Sequence, residues 1–178
     1  MHRDSILFID DFKMKNRKVI YVRHPRPIGH ENLCYGQTDL DILHPDGLAL
    51  AQTILSLPLE NFQIFSSPLR RCQKVAKSLN RQFSVDPLLK EINFGVYEGI
   101  VWDNVPKKQL DLWNTDIENF HFPQGESYLD LKKRVGKFLF KTKTLQNTLI
   151  IGHAGVIRAF FDILENIPIQ ESLKREIP

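Results

Sequence analysis

The stretch Lys18-Val-Ile-Tyr-Val-Arg-His24 decides the fold. Val19 to Val22 form a short, β-branched-rich apolar run, the pattern of a strand covered on both faces. The run stops on an arginine and a histidine, and Pro25 and Pro27 end regular pairing. Such a strand suits an open α/β sheet, whose ligands bind in the crevice at the C-terminal strand ends. Thr148-Leu-Ile-Ile151 repeats the pattern near the other end of the chain and again stops on a histidine, His153. A near-continuously apolar helix over 156–164 follows it, as expected for one packed on a sheet.

Between these strands the periodicity predicts alternating elements. Leu48, Ala51, Ile54 and Leu55 mark one face of a helix that opens at Asp46-Gly47 and stops at Pro58. Phe62-Gln-Ile-Phe65 reads as a strand. Ser66-Ser-Pro68 then predicts a helix with Ser67 as N-cap and Pro68 at its first position, burying Cys72, Val75, Ala76 and Leu79. Residues 83–85 are a short strand candidate, 88–99 a polar loop, and 102–113 a weaker helix. A further helix is expected from about Ser127, with Tyr128, Leu131, Val135 and Phe138 inward and Lys133, Lys137 and Lys141 on a solvated face. The loop from His24 to about Asp46 is long for a compact domain, a length usually associated with function.

The chain's 178 residues suit one domain, 1–178, with residues 1–17 as an extension before the first strand; Met14 resembles a natural start. The net charge of +3 is dispersed, which argues against a nucleic-acid partner and leaves a slight preference for anions. Cys34 and Cys72 form no framework and no C-x-x-C site, so a reducing, cytoplasmic setting is expected. No apolar run approaches the ~20 residues of a membrane span, and Asp10-Asp11 interrupts any signal-peptide reading.

Three strand-to-helix junctions carry matching chemistry: Arg23-His24, Arg70-Arg71 and His153. With parallel strands their side chains converge on one edge, where helix N-termini also favour an anion. A phosphoryl group suits bidentate arginines. Singly, each residue has a plainer reading: a hydrogen-bonded structural histidine, a surface arginine, a surface glutamate at Glu91. Their convergence favours function. No cluster has metal-ligand spacing, so neither metal nor cofactor is expected.

Five segments, in order, carry a resemblance. Val22-Arg-His-Pro25, Ser66-Ser-Pro-Leu-Arg-Arg71-Cys72, Leu89-Lys-Glu-Ile-Asn-Phe-Gly-Val-Tyr-Glu-Gly99, Gly125-Glu-Ser127 and Gly152-His-Ala-Gly-Val-Ile-Arg158 together resemble the signature of the histidine phosphatase superfamily. They span Lys18 to Phe161. The resemblance implies the phosphoglycerate mutase-like fold, a three-layer α/β/α sandwich with a mostly parallel central sheet and helices on both faces. It implies His24 as the nucleophile that becomes phosphohistidine, Glu91 as proton donor and His153 as the second histidine. Arg23 and Arg71 match the phosphate clamp, Arg70 falls in the variable, solvent-facing slot, and Glu98 matches a structural glutamate. Pro25 departs from the family's glycine and lacks a backbone N–H.

The implied activity is hydrolysis of a small phosphate ester. Only about twenty residues separate Trp102 from Pro123, in contrast to the long insertions of the mutases. Leu33-Cys-Tyr-Gly-Gln-Thr-Asp-Leu40 resembles the α-ribazole phosphatase-like branch of cobalamin synthesis, which makes α-ribazole 5′-phosphate the favoured substrate. The alternatives are a broad-specificity phosphatase, a protein phosphohistidine phosphatase, a phosphoglycerate mutase, or a phosphate-binding domain without turnover. The expected partner is a small phosphorylated molecule, with no membrane and a monomeric or homodimeric chain.

Overall fold

The computed structural model describes residues 6–11, 17–143 and 147–177. The central sheet is formed by β1 (Ile6–Asp11), β2 (Arg17–Arg23), β3 (Phe62–Ser66), β4 (Ser84–Val85) and β5 (Asn147–Gly152), in the order β1-β2-β5-β3-β4. The pairs β2–β5, β5–β3 and β3–β4 are parallel, and β1 lies antiparallel on β2. The expected mostly parallel α/β sheet is thus present. The extension differs from expectation: Ile6 to Asp11 pairs residue for residue with Val22 to Arg17. Residues 1–5 and 12–16 of that extension, Met14 included, lie outside the described residues.

Helices cover both faces, and strand alternation decides which residues each layer receives. Ile20, Val22, Ile64, Leu149 and Ile151 point toward α1 (His44–Leu55) and α2 (Arg70–Ser78). Val19, Tyr21, Phe65 and Ile150 point toward α4 (Tyr128–Lys141) and α5 (Ala154–Glu165). Between them in the chain lies α3 (Lys107–Thr115), and a short α6 (Ile169–Ser172) follows α5. A third, smaller core of Cys34, Tyr97, Val105 and Phe122, with Phe94, Trp102, Trp113 and Phe120 packed on it, builds a wall beside the sheet edge.

Local chemistry fixes the start of α4. Ser127 caps α4 in a reciprocal capping box with Asp130, satisfying donors at both residues. The inward stripe of α4 is the expected one, Tyr128, Leu131, Val135 and Phe138. Two expectations need correction. The buried face of α1 is Gly47, Leu50, Ala51 and Ile54, whereas Leu48 and Leu55 stay 41% and 46% exposed. The stripe at 47, 50, 51 and 54 keeps the helical i, i+3, i+4, i+7 spacing, and Leu48 falls one residue round from it. The helix after β3 is capped at Leu69, not Ser67: the first helical amides bond Leu69 O, and Ser67, two residues earlier, shares its hydroxyl between Leu69 N and His153.

Among the described residues, no helix is long and apolar enough to cross a membrane. Phe160 is fully buried, 5.2 Å from the Tyr21 ring and 6.4 Å from that of Phe138, where α5 meets the sheet and α4. Phe160→Ala is expected to lower unfolding free energy by about 3–5 kcal/mol in urea titrations, through lost burial and a cavity that neighbours cannot fill. An unchanged midpoint would contradict this packing.

Candidate active site

The C-terminal ends of β2, β5 and β3 lie side by side, and backbone bonds carry the pairing one residue past each strand. His24 N donates to Gly152 O at 3.1 Å and Ser67 N to Ile151 O at 2.9 Å. This brings His24 and His153 onto adjacent strands with ring centroids 5.0 Å apart. Both imidazoles are buried.

Two partners fix the state of His24. Its Nδ1 lies 2.7 Å from Pro25 O, and a carbonyl only accepts, so Nδ1 carries the proton. Its Nε2 faces Arg71 Nε–H at 3.1 Å, and a guanidinium only donates, so Nε2 holds a lone pair. Burial, and secondarily the Arg71 charge, hold its pKa well below the usual 6.5. The ring is therefore neutral at pH 7, with its lone pair toward the guanidinium. Pro25 lacks the N–H of the family's glycine, but its carbonyl sets this tautomer.

Arg71 is fully buried, and it also donates to Thr38 O at 2.9 Å and to Gly36 O at 2.7 Å. The long loop after β2 is held to it in this way. Glu98 holds the same loop from behind, accepting from Gln37 N, Thr38 N and Thr38 Oγ, and from Phe94 N. Arg70 turns outward and binds Asp39, its side chain 63% exposed.

His153 meets groups whose role was not legible in the sequence. Its Nε2 is 2.7 Å from Ser67 Oγ, and Cys72 Sγ lies 3.6 Å from the same nitrogen. Burial pushes the Cys72 thiol up, so it stays a neutral neighbour. Burial first, then the charge of Arg71, lowers the His153 pKa as well.

Glu91 reaches the opposite side of the site. Its Oε1 accepts from Ile92 N at 2.9 Å and its Oε2 from Gly155 N at 3.0 Å, at the N-terminus of α5. A Cβ on Gly155 would come within 2.3 Å of Glu91 Oε1, so a larger residue there would push the carboxyl aside. Arg23 donates to Ile177 O at 2.5 Å, and Arg158 donates to the Ser172 carbonyl and to Arg175 O. Backbone of the C-terminal segment thus meets both guanidiniums. Arg158 had no role assigned from sequence; burial, then the Arg23 charge, lowers its pKa.

His24, Arg23, Arg71 and Glu91 line one cavity of about 220 Å³, and His153 lies directly behind His24. The remainder of the wall is mainly apolar: Phe94, Trp102 and Trp113 on one side, Leu131, Ile169 and Leu173 on another. All five residues singled out in the sequence therefore gather at one edge. Among the described residues no group of three or more His, Cys, Asp or Glu is placed to hold a metal ion.

The two histidines also link stability to pH. Held neutral when folded but free to protonate near 6.5 when unfolded, each makes the unfolded state bind more protons as pH falls. The folded state therefore loses up to about 1.4 kcal/mol per pH unit for each histidine below that value, and nothing from this source above it. The thermal midpoint of the wild type should drop between pH 7 and pH 5 more steeply than that of a His24→Asn/His153→Asn double variant. Parallel profiles would refute the assignment.

The comparisons with known proteins follow the same pattern. The sequence matches the family model of the histidine phosphatase superfamily (branch 1) over residues 19–178. It is 31% identical over 166 residues to "Putative phosphoserine phosphatase 2" of Hydrogenobacter thermophilus, covering 86% of this chain and 81% of that protein. The phosphoglycerate mutase structure from Thermus thermophilus superposes with a TM-score of 0.66 at 32% identity, covering 80% of this chain and 81% of that one. The Escherichia coli protein described as a "putative alpha-ribazole-5'-P phosphatase" shares the fold at a TM-score of 0.76 and 21% identity, over 90% of this chain and 85% of that one. A buried histidine pair at the ends of two parallel strands, with arginine and glutamate around one cavity, accords with these matches, and the chain belongs to the histidine phosphatase superfamily, branch 1.

Proposed function

We propose that the chain is a phosphomonoesterase that works through a phosphohistidine on His24. The observation that carries this reading is the His24 tautomer: a neutral ring with its Nε2 lone pair 3.1 Å from a buried guanidinium. In the first step that lone pair attacks phosphorus as the ester P–O bond breaks. Arg71 turns its Nε–H from His24 onto a phosphoryl oxygen and Arg23 stabilises charge on another, while His153, buried beside His24 and bonded to Ser67, acts through the neighbouring His24 ring. Glu91, as the acid, gives its proton to the departing alkoxide, which leaves as the alcohol. In the second step water attacks phosphorus and passes a proton to the Glu91 carboxylate. The P–N bond breaks, releasing phosphate, and His24 returns neutral.

The short segment between Trp102 and Pro123 provides a wall without a long insertion, but the mutase structure from Thermus thermophilus is of similar extent, so the choice of hydrolysis rests on the character of that wall. The body of the ester would lie against the largely apolar wall of the cavity. A flat apolar group suits Phe94, Trp102 and Trp113 better than a second phosphate or a zwitterion does. Arg158, the cation farther along the wall, already donates to backbone carbonyls. Together with the likeness of residues 33–40 to the α-ribazole phosphatase-like branch, this favours α-ribazole 5′-phosphate as substrate. Tyr35 of that segment lies 5.5 Å from the Arg71 guanidinium.

Hydrolysis of p-nitrophenyl phosphate in the presence of EDTA is the expected activity, reduced at least about a thousandfold in His24→Ala. Full activity in that variant would exclude the phosphohistidine route, and inactivity of the wild type on every ester would leave only phosphate binding. In a panel of α-ribazole 5′-phosphate, phosphoserine, 3-phosphoglycerate, fructose 2,6-bisphosphate and a phosphohistidine peptide, kcat/KM should be highest for the first. Preference for a bisphosphate or the peptide would overturn the substrate reading while leaving the chemistry standing. Glu91→Gln should slow alkyl phosphates by roughly a hundredfold or more and p-nitrophenyl phosphate far less, because only a poor leaving group needs the acid.

A further inference from the structure

The segment that carries Glu91 has little regular structure of its own. A single 3-10 turn over Pro87–Leu89 precedes it and another, Gly95–Tyr97, follows. Buried carbonyls in such a stretch need donors from elsewhere. Gln37 Nε2 donates to Glu91 O at 3.0 Å, and one further side chain reaches three of these carbonyls. Arg134, on α4, donates Nη1 to Leu88 O at 2.8 Å and to Lys90 O at 2.6 Å, and Nη2 to Glu91 O at 2.8 Å. Its Nε and Nη2 also bind the two carboxylate oxygens of Glu126, at 2.9 and 3.0 Å. A guanidinium has five N–H groups, and these bonds use all five.

Glu126 closes the arrangement from the far side of Glu91. Its Oε2 accepts from Asn93 N at 3.0 Å, and its own N–H donates to Asn93 O at 2.8 Å. The backbone is thus held immediately before, at and just after residue 91. Arg134 is 14% exposed and Glu126 21%, so water competes weakly for these bonds. Arg134 does not line the cavity, and its charge is matched by Glu126, so it has no direct hold on a phosphoryl group.

We infer that Arg134, clamped by Glu126, is a positioning residue that fixes where the Glu91 carboxyl meets the leaving group. The inference rests on the proposed role of Glu91 as proton donor. Lysine cannot substitute, since an ammonium lacks the planar fork that spans three carbonyls and a carboxylate. A shift of the Glu91 backbone by even an ångström would draw its carboxyl off Gly155 N and off the line to the ester oxygen.

The test is the dependence of kcat/KM on leaving-group acidity in Arg134→Met, Arg134→Lys and Glu126→Gln, with Glu91→Gln alongside. Arg134→Met should lose roughly tenfold to a hundredfold on an alkyl phosphate but less than about threefold on p-nitrophenyl phosphate, mainly in kcat. Arg134→Lys should fall nearly as far. Added to Glu91→Gln, Arg134→Met should bring little further selective loss, since both act through one carboxyl. If Arg134→Met does not fold, as judged by circular dichroism, Glu126→Gln, nearly isosteric, carries the same expectation. Equal losses on both esters in the Arg134 and Glu126 variants, with Glu91→Gln still selective, would overturn this inference alone. A Glu91→Gln variant without selectivity would overturn it together with the acid role itself.

Discussion

The parallel register of β2 on β5 is the constraint from which the rest follows. Arg23 pairs with Gly152, and the next residue on each strand is a histidine. Hydrogen-bonded strands lie about 4.8 Å apart, so two side chains leaving adjacent strands at one level must meet at about that distance. The ring separation of 5.0 Å is therefore set by backbone pairing and owes little to side-chain choice. The ladder is buried on both faces, which protects this spacing from local opening.

Around that pair the polar groups form a closed arrangement. Arg71 touches His24 on one side and the carbonyls of Gly36 and Thr38 on the other, and Glu98 receives the amides of the same loop. A long irregular loop is thereby made part of the site. On the far side Glu91 receives the Gly155 amide in the first turn of α5 while Arg134 and Glu126 hold its backbone. Each charged group near the cavity has partners that account for its orientation, as buried charge requires.

Sequence and structure agree wherever a single physical rule dominates. Buried parallel strands read as continuous apolar runs, so β2 and β5 were legible together with the histidines that end them. The α4 stripe and its start near Ser127 follow from period, and the outward turn of Arg70 from its slot in the motif. Disagreement arises where one residue has two possible partners. Ser67 has the chemistry of a helix cap, but its hydroxyl binds His153, and no local pattern distinguishes those uses. Leu48 and Leu55 are as hydrophobic as the residues that α1 buries, so period alone left the helix rotation open by one position. Arg134 was hidden among the lysines of α4, because its three carbonyl partners lie more than forty residues away in sequence. The pairing of Ile6–Asp11 with β2 was likewise obscured by the polar residues between them.

The aromatic wall has an optical consequence. The chain contains two tryptophans, and both Trp102 and Trp113 border the same cavity, their indoles nearly parallel at 9° with centroids 5.8 Å apart. All of the protein's indole emission thus originates at the cavity that His24 lines, with no distant background to dilute it. The polypeptide carries a native, label-free reporter of whatever enters that space, and its spectrum would register the arrival of an aromatic guest directly.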